Sequence, residues 1–278
     1  MKHYNYILLD WDGNIAHTLD LWPDALNEVM QKRGFTLTRQ QLVESTWGFV
    51  NYVTSHTSIT PKEASKALEE ADELVVARSL DVELFPTALE TLKELKKQGR
   101  QLALITTSKR RMVTPVLEKY DIVDLFEVII TDDDIEKSER KPNPKPLYMA
   151  LEKMGGSVEE AIMVGDRDKD IVAGHNAGMD SALFCSDEHQ QHYEIDKLIE
   201  CKPTYVMNTF HDLLEIVTTR SDKGANWRDP RQRGPGVVEA AGGPYKHAED
   251  QTPDHGSGSG HSRDVRPPLP QYLDALHP

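Results

Sequence analysis

Only two cysteines, Cys185 and Cys201, occur in the chain. That is too few for a disulfide framework or a cysteine-based zinc site, and it suits a reducing compartment. Basic residues are also scarce: 32 Lys and Arg stand against 46 Asp and Glu, a formal net charge of −14. A surplus of that sign argues against nucleic-acid backbones and anionic membrane surfaces as partners, because both call for clustered cations. No apolar run reaches the roughly 18 residues of a membrane span. Residues 1–4 lead straight into a strand-like run, so no signal peptide is expected and the chain reads as cytoplasmic.

The apolar residues that are present, 38% of 278, suffice for a sizeable core. They fit one large domain with an insertion, or two smaller units. Residues 4–10 form an apolar run that predicts a buried strand ending at Asp10. Helical patterns follow at 19–33, closed by Gly34, at 38–46, and from Thr60-Pro61 to about residue 80, with Pro61 suited to a first helical position. No strand-like run interrupts residues 15–80, which read as a small all-helical unit.

After Pro86 strands and helices alternate. Helices are expected at 87–98, 109–120, 144–154 and 168–176, and a last one reaches about residue 217. Strands are expected at 102–105, 127–130, 161–164, 181–184 and 204–207. Unbroken apolar strands alternating with helices predict a parallel α/β sheet covered on both faces. Beyond residue 221 lie about half of the glycines and half of the prolines, with almost no apolar periodicity. This segment cannot bury enough surface to offset its ordering entropy and reads as a disordered tail. Its "RPPLPQYL" stretch reads as solvated or appended sequence, with a polyproline peptide ligand as the alternative.

In parallel α/β sheets ligands bind beyond the carboxyl ends of the strands. Past the first strand stand Asp10 and Asp12. Past the second stand Thr106, Thr107 and Ser108, then Lys109, Arg110 and Arg111. Past the third come Thr131, the acids Asp132, Asp133 and Asp134, and "RKPNPKP". Past the fourth, "VGDRDKD" supplies Asp166, Asp168 and Asp170. Carboxylates, hydroxyls and a lysine far apart in sequence are thus expected on one edge of the sheet. Two carboxylates as close as Asp10 and Asp12 repel one another, and their burial calls for a cation or hydrogen-bond donors.

"DWDGN", "ITTS", "KPNP" and "VGDRDKD" resemble, in order and spacing, the four motifs of the haloacid dehalogenase superfamily. The flanking "LKELKKQGRQLALITTS" and "ALEKMGGSVEEAIMVGDRDKDIVAGHNAGM" are similar to its phosphoglycolate phosphatase and β-phosphoglucomutase branch. The resemblance covers about residues 4–218. It implies a Rossmann-like core domain at 1–16 and 84–218, a helical cap domain at 17–83, and a tail at 219–278 outside both. It further implies that Asp10 is a nucleophile forming an aspartyl phosphate. Asp12 would be the general acid and base, Thr106 a phosphoryl hydrogen-bond donor and Lys141 a charge-balancing residue. Mg²⁺ would be held by Asp10, Asp166 and the carbonyl of Asp12, with Asp170 behind them or as an occasional ligand. Gly13, Thr107 and Ser108 become candidate substrate contacts, with Trp47 and Gly48 from the cap loop "STWGFVN".

The second aspartate separates phosphoryl transfer from carbon–halogen cleavage, whose enzymes in this superfamily lack it. The implied activity is a Mg²⁺-dependent phosphatase of a small phosphorylated metabolite, acting as a monomer or homodimer without nucleic acid or membrane. The alternatives are a phosphomutase acting on a sugar phosphate and a non-catalytic partner-binding protein. Two residues depart from the pattern: Asn14, where Thr or Val is common, and Arg167, where a small residue is common. Arg167 would pair with Asp168 or line the pocket. Asp168 reads as a helix N-cap, the Asp132 to Asp134 run as a solvated loop or cap, Trp22 as cap core, and His17, His56 and His175 as residues without ligand spacing.

Overall fold

The computed structural model describes residues 3–45 and 48–218. The expectations for Trp47 and for the tail fall outside the described residues. Six parallel strands, β1 (Tyr6–Leu9), β2 (Gln101–Ile105), β3 (Phe126–Ile130), β4 (Ala161–Gly165), β5 (Asp180–Phe184) and β6 (Tyr205–Met207), form one sheet in the order β3-β2-β1-β4-β5-β6. The sheet is the parallel α/β layer expected from the alternation, and it is Rossmann-like, as the family resemblance implies.

Side chains alternate across a strand, and β1 shows what that does here. Ile7 and Leu9 enter one core with Leu104, Val164 and Phe184, under α5 (Ala88–Lys97), α6 (Arg110–Lys119) and α10 (Asp212–Thr218). Leu8 points to the other face and joins Ala103, Met163, Leu147 and Ala173, under α7 (Lys145–Met154) and α8 (Asp168–Ala177). Burial on both faces explains why the strands read as unbroken apolar runs rather than as alternating ones.

Strand order reverses at β1: the chain runs outward through β2 and β3, then returns to β4 on the other side. The crevice between the carboxyl ends of β1 and β4 is therefore the topological switch point where such sheets hold ligands. Leu9 pairs in register with Val164, so Asp10 and Asp166 leave adjacent strands almost level with each other.

Between β1 and β2 lie α1 (Leu21–Gln31), α2 (Arg39–Ser45), α3 (Phe49–His56) and α4 (Pro61–Arg78). They enclose a separate apolar cluster built on Leu26, Met30, Leu42, Phe49, Val53 and the α4 stripe Ala64, Ala67, Ala71 and Val75. The small residues of that stripe let α1 lie close against α4. α4 opens on a capping box: Glu63 N–H donates to Thr60 Oγ1 at 3.3 Å, and Thr60 N–H donates to Glu63 Oε2 at 3.0 Å, with Pro61 at the first helical position. Met112 of α6 joins this cluster and ties the helices to the sheet side.

α3 lies where the sequence predicts a loop. Its Val50, Val53 and Thr54 are weak helix formers, but Phe49 and Val53, one turn apart, are buried in the helical cluster, and that burial outweighs propensity. α9 (Ile195–Glu200) and the tight turn Asp187–Gln191 fill a stretch for which the sequence predicts no element. Among the described residues no helix is long and apolar enough to cross a membrane.

Candidate active site

Asp10 is the first residue past β1, Thr106 the first past β2 and Asp166 the first past β4. Lys141 arrives on the loop after β3. That loop is fixed by acids: Asp132 makes a fork with the Arg140 guanidinium at 2.5 and 2.6 Å. Asp133 accepts the Arg110 N–H at 2.7 Å at the start of α6, and Asp134 accepts from Thr131 N–H and Arg110 at 2.8 and 2.6 Å. The Asp132 to Asp134 run is thus a set of caps and anchors.

Lys141 is buried, and its Nζ lies 2.6 Å from Asp10 Oδ1 and 2.6 Å from Asp170 Oδ1, and donates to the Ile105 carbonyl at 2.9 Å. Burial alone would lower the lysine, but Asp10 and Asp170 outweigh it and hold the ammonium above its ordinary value. Asp10 is 4% exposed, and Asp166 and Asp170 are wholly buried. Burial, reinforced by Asp170 and partly offset by Lys141, pushes Asp10 up to about 6. Burial first, then Asp10 and Asp170, carries Asp166 well above the usual carboxylate range.

Oxygens of Asp10, Asp166 and Asp170 lie within 4.8 Å of one another. Asp166 Oδ1 is buried and has no hydrogen-bond partner among the described residues. An all-oxygen donor set with an orphaned buried carboxylate oxygen fits a hard divalent cation such as Mg²⁺. Gly13 packs over this cluster at φ +69°, where a Cβ would stand 2.2 Å from Asp166 Oδ2. Both the backbone angle and the contact require glycine.

The Asp12 carboxylate is held apart from the buried three. It accepts from Thr18 Oγ1 at 3.0 Å, from Thr106 Oγ1 at 3.4 Å and from Ser108 Oγ. Thr106 Oγ1 also accepts the Ser108 N–H at 3.0 Å. Asn14 is buried beneath the site, where its amide donates to the carbonyls of Asp10 and Val164 at 3.0 and 3.3 Å. It fastens the ends of β1 and β4 together and is not among the residues lining the cavity next to Asp10.

Asp10, Asp12, Gly13 and Thr107 open onto a cavity of about 730 Å³. Its far wall comes from the helical insertion, through Trp22, Arg39, Gln40, Val43 and Glu44, and Arg167, Lys169 and Tyr193 complete the near wall. Trp22, expected in the cap core, both packs on the helical cluster and faces this cavity. Gly48 is not brought there: it precedes α3, exposed, with open space where a Cβ would stand. Asp168 is not the N-cap of α8 but its first helical residue; Arg167 precedes the helix, its N–H donating to Asp170 Oδ2 at 3.1 Å. Arg167 lines the cavity and lies 3.8 Å from Asp168.

The residues that sequence reasoning missed lie after β5. Tyr193 donates from its hydroxyl to Asp166 Oδ2 at 2.7 Å, and the Arg167 guanidinium stacks 4.6 Å from its ring centroid. Burial, then Asp166, raises the phenol well above its ordinary value, so at neutral pH it is a donor. His189 is buried among the rings of Phe85, Phe184 and Tyr193. Its Nδ1 accepts the Ser186 N–H at 3.1 Å, which leaves Nε2–H to donate to the Gly13 carbonyl at 2.7 Å. Burial pushes this imidazole down to about 4.

The model of the haloacid dehalogenase-like hydrolases matches residues 7–184, a span that holds the carboxyl ends of β1 to β5. The chain belongs to that family. It is an enzyme of the hydrolase class by that membership. It is 32% identical to a pyrophosphatase PpaX of Bacillus mycoides, over 77% of this chain and 97% of that protein. Against a pyrophosphatase PpaX of Bacillus cereus the identity is 39%, over 49% of this chain and 61% of the relative, so that match spans less than two thirds of the relative's length. The fold is similar to the crystal structure described as a predicted phosphoglycolate phosphatase from Haemophilus somnus. The TM-score is 0.66 and the identity 23%, over 78% of this chain and 99% of that one.

Proposed function

We propose that this haloacid dehalogenase-like phosphatase hydrolyses a small organic phosphate monoester, with Mg²⁺ bound and through an aspartyl phosphate on Asp10. The observation that carries the reading is the arrangement of two carboxylates on one short turn. Asp10 is gripped by the buried Lys141, while Asp12 is oriented by three hydroxyls at the mouth of the same cavity. The two acids therefore have different surroundings and can take different roles.

Asp10, paired with the Lys141 ammonium, is the nucleophile: one carboxylate oxygen attacks phosphorus and the bond to the leaving oxygen breaks. Asp12 gives its proton to that leaving oxygen, then takes one from the water that attacks the phosphoryl group, and the Asp10 carboxylate is regenerated as phosphate departs. Lys141 holds Asp10 in place and offsets negative charge gathered around the transferring group. Thr107, just past β2 and lining the cavity, offers its hydroxyl to the phosphoryl oxygens, while Thr106 and Ser108 beside it orient Asp12. Asp10, Asp166 and the carbonyl of Asp12 would hold Mg²⁺, which supplies Lewis-acid charge neutralisation. Asp170 stands behind them as the second counter-ion of Lys141.

Residues 17–83 serve as a cap whose wall, including Trp22 and Arg39, screens the site from bulk water and meets the non-reacting part of the ester. The test is phosphate release by the purified protein with Mg²⁺ over a panel of metabolite esters and inorganic pyrophosphate, the latter suggested by the relatives' names. Release from at least one monoester is expected. No release across the panel would overturn the reading, and isomer interconversion without release would replace it with a phosphomutase.

A further inference from the structure

The segment between β5 and α9 is built against the acids in a way the reading above does not use. Tyr193 occupies Oδ2 of Asp166 and leaves Oδ1 as the carboxylate's one unengaged oxygen. Gly13 approaches the oxygen that Tyr193 holds so closely that a methyl group on the glycine would lie 2.2 Å from Oδ2. The tyrosine is itself restrained. Its ring is covered by the Arg167 guanidinium at 4.6 Å and packs at 5.7 Å against His189. His189 in turn donates to the Gly13 carbonyl at 2.7 Å.

The same short segment thus grips both jaws of the cluster, the carboxylate after β4 and the glycine turn after β1. A single hydroxyl, fixed on one oxygen of a buried carboxylate that clusters with Asp10 and Asp170, restrains its rotamer and leaves the other oxygen without a hydrogen-bond partner among the described residues. Partners of this kind, which touch a ligand rather than the ion, ordinarily change metal affinity 10–100-fold.

We infer that Tyr193 is a positioning residue that presents Asp166 to a divalent cation, with His189 and Arg167 holding the tyrosine in place. This inference rests on the Mg²⁺ reading of the site. Tyr193→Phe removes the hydroxyl and keeps the ring, so the stacking with Arg167 and His189 survives. The test is Mg²⁺ titration of the full chain by calorimetry, for wild type and Y193F, with melting temperatures of both metal-free proteins recorded in parallel.

The expected result is a Mg²⁺ dissociation constant raised about ten-fold or more in Y193F, at a metal-free melting temperature within about 5 °C of wild type. In activity assays the Mg²⁺ concentration for half-maximal rate should rise by the same factor. An unchanged Mg²⁺ affinity in Y193F would overturn the inference and leave the proposed function standing. A Y193F protein that does not fold without metal would assign the tyrosine to structure alone, and would also overturn it. Wild-type protein that binds no Mg²⁺ would overturn both.

Discussion

Replacing Lys141 by methionine removes a charge and keeps a side chain of similar length. The ammonium it deletes lies 2.6 Å from each of two carboxylates, Asp10 and Asp170, and both are shielded from solvent. At an effective dielectric of about 20, each such pair is worth about 6 kcal/mol of Coulomb attraction. Desolvation repays much of that, and removal of one partner of a buried pair ordinarily costs about 3–5 kcal/mol, because the remaining charge is stranded. In a chain of this size that is a fall of roughly 10 °C or more in melting temperature.

The loss also has a sign in pH. Asp10 is already raised from 3.8 to about 6 in the folded state. Folded protein therefore holds more protons than unfolded protein between those values, and stability falls as pH rises through that window. Without the lysine the folded carboxylates bind protons still more tightly, so the window extends upward. K141M should recover stability as pH is lowered from 8 to 6. Urea denaturation in EDTA, followed by circular dichroism at both pH values, measures this as a change in midpoint at constant slope. A variant within about 1 kcal/mol of wild type at pH 8, or a loss that does not shrink on acidification, would refute the reasoning.

Asp10→Asn should abolish turnover while the circular dichroism spectrum and fold are kept, and activity like wild type would exclude a covalent step on Asp10. Gly13→Ala places a methyl group 2.2 Å from Asp166 Oδ2 at φ +69°. A loss of at least about 2 kcal/mol is expected in denaturant titration, from backbone strain and overpacking together. His189 is lowered from 6.5 to about 4, so unfolded protein takes up its proton first as pH falls. Its contribution to stability is intact above pH 6.5 and is lost on acidification toward 4, by about 3 kcal/mol in all. The difference between wild type and His189→Gln in denaturant midpoint should show that slope, and parallel pH profiles would contradict it.

The strands were legible because burial on both faces favours unbroken apolar runs in β1, β2 and β4, and Asp10 and Asp166 were legible because they end the first and last of those runs. The convergence of Asp10, Thr106, Lys141 and Asp166 followed from the rule that parallel sheets use their carboxyl ends. Helix α3 was not legible, since Phe49 and Val53 acquire helical structure from burial against α1 and α4 rather than from their own propensity. Tyr193 and His189 lie in an irregular stretch with no apolar period, 27 and 176 residues from the groups they touch. A signal for them did exist. The inventory of residues past each strand end, continued from β4 to β5, runs through the aromatic and imidazole groups that follow Phe184. Gly48 is a different case: in a stretch resembling a substrate loop it directly precedes α3, and it is not among the residues that line the cavity.

The cavity has two walls of separate origin. The acids stand on strand ends rooted in the sheet cores, whereas Trp22, Arg39, Gln40, Val43 and Glu44 stand on helices rooted in their own apolar cluster. Distant sites with no shared neighbours vary almost additively. Evolution can accordingly rewrite the helical wall one side chain at a time, leaving the aim of the carboxylates untouched. An engineer seeking a new tenant for this chamber has five positions to vary, none of which holds up the sheet.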